Sequence, residues 1–213
     1  MRQLGPLDRF LCEIDTALRT IIAPVSRCSN RISPAEGISE SPLTTKEKQR
    51  LAGLMRVNHA GEVSAQALYQ GQALTAKLPR VKQQMTEAAE EEVDHLAWCE
   101  QRLYELDSQP SKLNLLWYSG SFMIGALAGL AGDKWSLGFV METERQVSAH
   151  LKNHISFLSP QDLKTKAILT TMYDDEAHHA STAQEAGARE LPYFIKRLMR
   201  GASKLLTQGS YYI

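Results

Sequence analysis

Apolar residues recur along this chain at the three- and four-residue intervals of amphipathic helices, and no stretch alternates with the period of two that a half-buried strand requires. Phe10, Leu11, Ile14, Leu18 and Ile21 give one such stripe, which predicts a short helix over 7–22. Residues 23–43 hold three prolines and five serines among few apolar positions, so they read as a linker or loop. Thr44 followed by Glu47 is a capping box, from which a helix runs to about Lys77. Pro79 suits the first turn of a second long helix, ending near Leu106. Asp107 to Ser111 is a polar break containing Pro110. A third long helix is expected over 134–158. Ser159, Pro160 and Asp162 then cap a fourth, with proline at its first position, and Gly187 is its natural stop. The fold class is all-α, organised as an N-terminal amphipathic helix and linker (1–43), a bundle (44–188) and a C-terminal segment (189–213).

Two segments carry unusual apolar character. Leu113 to Gly132 is a twenty-residue run without a charge, long enough for a membrane span. Asn114, Ser119, Ser121 and four glycines weaken that reading, and the Gly125–Gly129 spacing is a weak packing signal alone. In the C-terminal segment, Leu191, Phe194, Ile195, Leu198, Met199, Ala202, Leu205 and Leu206 fall within roughly 140° of a helical wheel. Lys196, Arg197, Arg200 and Lys204 lie opposite. Such a basic helix fits either an interfacial anchor or a helix packed on its own bundle.

Composition removes several classes. The 24 basic and 24 acidic side chains cancel, so no bulk charge draws the chain onto nucleic acid. Cys12, Cys28 and Cys99 lack the paired spacing of a zinc ribbon or a redox motif, and their sparse, odd number fits a reducing compartment. Asp8, Glu13 and Asp15 interrupt the first stretch, unlike a signal or transit peptide, so the chain reads as mature or bacterial.

The candidate chemistry lies in two Glu-x-x-His motifs, Glu92 with His95 and Glu176 with His179. Residues three apart share a helix face, so each pair can reach one ion. A single motif is common by chance. Here Glu62 precedes Glu92 by 30 residues (92 − 62), and Glu144 precedes Glu176 by 32 (176 − 144). With each half folded as a hairpin about turns near 78 and 160, the acid and its motif come within roughly 3 Å of one height, at about 1.5 Å rise per residue. Four helices thus bring four Glu and two His to one layer, the arrangement of ferritin-like di-iron and di-manganese bundles with one long crossover. Four carboxylates balance two divalent metals, and hard oxygen donors with one imidazole per metal suit iron or manganese. A spanning crossover would put the two halves of this site on opposite sides of a bilayer, which excludes a simple span.

Asp175 and Glu91, each one residue before a motif glutamate, are candidates to accept a hydrogen bond from a ligand imidazole or to be solvated acids. Glu87, Glu90 and Asp94 read as an exposed face. Glu142 points elsewhere than Glu144 and is the fallback ligand. His150 is a candidate pocket residue beside His154, and His59 and His178 read as satisfied or exposed.

At these residues the chain resembles the demethoxyubiquinone hydroxylase family of ubiquinone biosynthesis. The segments MRVNHAGEVSAQALYQGQ, EEVDHLAWCEQRL, METERQVSAHLKNHI and DDEAHHASTA are similar to its four ligand segments, and RLMRGASKLL and SYYI to bacterial members. Asn58 stands where many members carry Asp, at a position that is not a ligand. The resemblance implies hydroxylation of a polyprenyl demethoxy-quinone or quinol ring with dioxygen, at two irons held by Glu62, Glu92, His95, Glu144, Glu176 and His179. It implies a peripheral protein on the cytoplasmic side of the cell membrane, with other ubiquinone-biosynthesis proteins as partners. No dinucleotide fingerprint is present, so electrons must arrive without a Rossmann domain. A ferritin-like ferroxidase, another di-iron oxygenase such as a tRNA hydroxylase, and a metal-free helical adaptor are the competing readings.

Overall fold

The computed structural model describes residues 5–22, 24, 27–40 and 42–213. Among these residues seven helices follow one another: α1 (Pro6–Ile21), α2 (Thr45–Thr75), α3 (Pro79–Glu105), α4 (Asn114–Leu130), α5 (Asp133–Ser156), α6 (Leu163–Glu185) and α7 (Tyr193–Tyr212). The expected signals set their ends. The Thr44 hydroxyl accepts the Glu47 N–H at 3.3 Å while the Glu47 carboxylate accepts the Thr44 N–H at 2.8 Å. Asp162 caps α6 by accepting the Thr165 N–H at 3.1 Å. Pro160 therefore lies in the turn before α6 and not at its first position. Gly187, at φ 98°, ends the helix in a conformation that side chains disfavour.

Helices α2 and α3 form one hairpin, and α5 and α6 the other; α2 meets α5 and α3 meets α6 across the bundle. The core gathers into three apolar clusters: a small one of Val63, Ala67, Leu96 and Tyr118 beside α4, and two that form layers within the bundle. One layer gathers Met55, Trp98, Leu103, Leu151, Leu169 and Met172. The other gathers Tyr69, Val81, Met85, Leu137, Val140 and Met141. The candidate ligands lie between these layers along the chain, so apolar packing flanks them on both sides.

The crossover α4 lies along α2, and glycines set how closely. A Cβ at Gly71 would stand 2.3 Å from the Phe122 carbonyl oxygen, and one at Gly125 2.3 Å from that of Leu68. Gly129 instead lies against the Thr75 side chain. The Gly125–Gly129 pair thus serves packing inside this chain and not helix pairing in a bilayer. Because the obstacle at Gly125 is backbone, Gly125→Ala should force α4 away from α2 and cost about 1–3 kcal/mol in urea unfolding. An unchanged midpoint would show that the crossover tolerates the displacement. No helix among the described residues is long and apolar enough to cross a membrane.

α1 touches α2 and α4, while α7 touches α2 and α5 and sets Gly209 against Trp117 of α4 and Leu113 just before it. Each of the three leaves large apolar side chains exposed, including Phe10 and Leu11 on α1, Leu116 and Leu127 on α4, and Phe194 and Leu198 on α7.

The segment between α1 and α2 is more than a spacer. Arg27 donates to Glu100 of α3 at 2.7 Å, and Ala35 is buried in the core. Glu40 accepts from Arg102, a fully buried guanidinium that also donates to Thr165 and Asp162. Buried charge is tolerated here because each side of it has a partner.

Candidate metal centre

Six side chains meet between the two apolar layers. Glu62 comes from α2, Glu92 and His95 from α3, Glu144 from α5, and Glu176 and His179 from α6. All six are buried, none more than 8% exposed. Glu62, Glu92, His95 and Glu176 form one group, and Glu144, Glu176 and His179 a second, each with ligand atoms within 4.8 Å of one another. The hairpin levels read from the sequence therefore coincide, and Glu176 belongs to both groups.

The imidazoles point Nδ1 inward. His95 Nδ1 lies 2.9 Å from Glu92, 3.4 Å from Glu176 and 3.6 Å from Glu62. His179 Nδ1 lies 3.6 Å from both Glu92 and Glu176. Each glutamate of a Glu-x-x-His motif thus faces both histidines. Glu92 Oε1, Glu176 Oε2 and His179 Nδ1 are buried without a hydrogen-bond partner. Unpartnered inward-facing lone pairs of hard donors are what a cation satisfies, so the cluster is compatible with metal binding.

Electrostatics agree. Burial, reinforced by the Glu92 charge, pushes the Glu62 carboxyl well up, and burial with the Glu176 charge does the same to Glu144. Burial also lifts Glu176, but the close approach of Glu144, His179 and His95 outweighs it and leaves this carboxylate below its ordinary value. Burial opposes charge on His95, yet the Glu92 carboxylate, the hydrogen bond to Asp175 and the nearby Glu176 and Glu62 raise it well above the usual imidazole range. His179 is raised to about 9, its burial overcome by the nearby Glu176 and Glu92 carboxylates and the hydrogen bond to Glu91. Two divalent cations would bring four positive charges to these four carboxylates.

The outer nitrogens are held crosswise. His95 Nε2 lies 2.9 Å from Asp175, which precedes Glu176, and His179 Nε2 lies 2.7 Å from Glu91, which precedes Glu92. Each half of the bundle thus supports the other half's histidine. Asp94, expected on an exposed face, is only 2% exposed. Asn30 N–H donates to it at 2.6 Å and Arg31 Nε at 3.0 Å, and these contacts from the linker bury it. Glu87 and Glu90 are exposed as expected.

Sequence reasoning missed Tyr69. Seven residues after Glu62 on α2, it donates its hydroxyl to Glu144 of α5 at 2.5 Å and ties the hairpins together. Burial, with the Glu144 charge, keeps that hydroxyl protonated. Its alternation with core residues gave no signal beyond an apolar position. Glu142 is buried but turned to Gln146 and to Lys196 of α7, at 2.7 and 3.1 Å, and is not in the cluster. His150 is half-buried beside His154, the rings tilted with centroids 3.9 Å apart, outside both ligand groups. His59 is fully buried and satisfied by Glu100 at 3.2 Å, while His178 is exposed. Cys99 is buried, and Cys12 and Cys28 are exposed free thiols.

Comparison with known proteins points the same way. Residues 49–210 match the family described as "Ubiquinone biosynthesis protein COQ7". A Legionella pneumophila (strain Paris) protein named 3-demethoxyubiquinol 3-hydroxylase is 63% identical over 213 residues, covering 100% of both chains. Proteins of the same name from Acinetobacter baylyi and Nitrosococcus oceani are 56% and 55% identical, covering 100% of this chain and 100% and 99% of theirs.

Proposed function

The chain belongs to the COQ7 family of ubiquinone biosynthesis proteins, and from that premise we propose that it hydroxylates the ring of a polyprenyl demethoxy-quinol with dioxygen, at two irons. One observation carries the reading: four buried glutamates and two buried histidines share one layer of the bundle. Glu62, Glu92 and His95 would hold one iron and Glu144 and His179 the other, with Glu176 common to both sets. Bound ferrous ions supply the two electrons that dioxygen reduction requires. The protein's own part is to hold six donors at fixed height, to keep water out with the apolar layers on either side, and to anchor Glu144 through the Tyr69 hydroxyl. The reaction adds one oxygen atom to a ring carbon in place of hydrogen; the second leaves as water with two protons and two electrons.

A polyprenyl substrate dissolves in lipid, so its catalyst must reach a bilayer. Exposed apolar side chains lie on α1, α4 and α7, all three of which pack against α2, and α7 adds Arg197 and Lys204. This combination supports peripheral seating on an anionic leaflet, on the cytoplasmic side in our reading. Deleting the gene should make cells accumulate the demethoxy-quinone, seen by mass spectrometry of extracted lipid, and a plasmid copy should clear it. A normal quinone profile in the deletion strain would contradict the assignment.

A further inference from the structure

The two histidines of the cluster are supported unequally. Glu91, which meets His179 Nε2, has a side chain 52% exposed, and its one described partner is that imidazole. The matching acid, Asp175, is gripped. Arg31 Nη2 donates to the Asp175 oxygen that faces His95 Nε2, at 2.8 Å. The same guanidinium donates through Nε to Asp94 at 3.0 Å. Its centre lies 4.7 Å over the Trp98 ring, and that ring is tilted against His95 at 5.4 Å. Arg31 belongs to none of the four ligand helices. It lies in the segment before α2, which is fixed to α3 by Arg27 on Glu100 and by Glu40 on Arg102. The segment is thus a strap laid over the His95 end of the cluster.

We propose that Arg31 is a positioning residue for His95: by fixing Asp175 against Nε2 from the strap, it sets the ring orientation that turns Nδ1 into the cluster. Two geometric facts support this. Asp175 is partly exposed, so without a second partner its carboxylate can swing to water, as Glu91 is free to do. Planar Arg31 reaches Asp94 and Asp175 at once, a two-pronged geometry that an ammonium cannot reproduce. The consequence is an asymmetric centre, with the cation beside His95 held more firmly than the one beside His179. The inference rests on the paired-metal reading above.

Cobalt(II) is a suitable probe, because it takes the same donors and shifts the NMR signals of ligand imidazoles. Wild-type protein, titrated anaerobically with cobalt chloride, should bind two ions per chain and show two exchangeable, shifted ring N–H signals, one slow to exchange. Arg31→Gln should weaken one of the two binding steps about tenfold, the usual scale for losing an outer partner of a metal ligand. It should also speed exchange of the slow N–H. Asp175→Asn, nearly isosteric, should reproduce the loss, and Arg31→Gln added to it should change nothing further. Arg27→Gln removes one of the strap's two anchors and leaves Arg31 in place, so it should weaken the same step by clearly less than Arg31→Gln does. Unchanged cobalt affinities and N–H exchange in Arg31→Gln would overturn the inference, as would additive losses in the double variant or an equal loss in Arg27→Gln. A wild-type chain that fails to bind two cobalt ions would instead overturn the paired-metal reading, and this inference with it.

Discussion

Glu176→Ala should abolish hydroxylation and strip most of the occupancy from one iron. Glu176 is the one residue common to both ligand groups. Its loss leaves the Glu144–His179 group with two donors and the Glu62–Glu92–His95 group with three, so the first should empty. Losing an outer-shell partner alone costs about 10- to 100-fold in metal affinity or activity, so losing a shared donor should cost at least about 100-fold. The fold should survive. Alanine is the best helix former, but the metal-free variant loses the carboxylate that faces both His95 and His179. Metal-free Glu176→Ala should therefore unfold at a somewhat lower temperature than the metal-free parent while keeping its helicity. Iron analysis and turnover measured together check this. A fully active variant would rule out the ligand set.

The second large effect is on the membrane. Changing Phe194, Leu198 and Leu205 to Ser should release the protein from liposomes of phosphatidylethanolamine and phosphatidylglycerol. These side chains are 63%, 67% and 65% exposed, so they contribute little to the bundle. At about 1 kcal/mol for each half-buried side chain, the three together are worth about 3 kcal/mol, or about a hundredfold in partitioning. Helicity and iron content should stay near normal. Unchanged co-sedimentation would show that α7 does not seat the protein on lipid.

The bundle and its six candidate ligands were legible because both depend on period and chain length. Helix geometry fixes that Glu92 and His95 share a face, and hairpin arithmetic fixes that Glu62 stands level with them. Asp175 and Glu91 were legible in part: their place before each motif glutamate suggested support for an imidazole. The crosswise partnership, in which each serves the opposite half, appears only once the helices pack. Asp94 was misread because it follows closely on an acidic run, Glu90–Glu91–Glu92, that resembles a solvated face. Its burial comes from Asn30 and Arg31, more than sixty positions earlier, in a segment whose prolines and serines signalled only a linker. No local pattern encodes a contact of that separation. Gly125 and Gly129 were ambiguous for a related reason: small residues permit close approach but do not say to which helix. In this chain it is α2.

Dioxygen as the source of the new hydroxyl can be read from the product itself. The reduced, iron-loaded protein is incubated with a demethoxy-quinol under labelled dioxygen, and the extracted quinone is weighed by mass spectrometry. One labelled oxygen atom per new hydroxyl is expected and none drawn from water, with no product from Glu62→Ala, which keeps both Glu-x-x-His motifs but lacks one carboxylate. Product oxygen drawn from water, or ferrous oxidation to ferric mineral with no quinone product, would contradict hydroxylation by dioxygen.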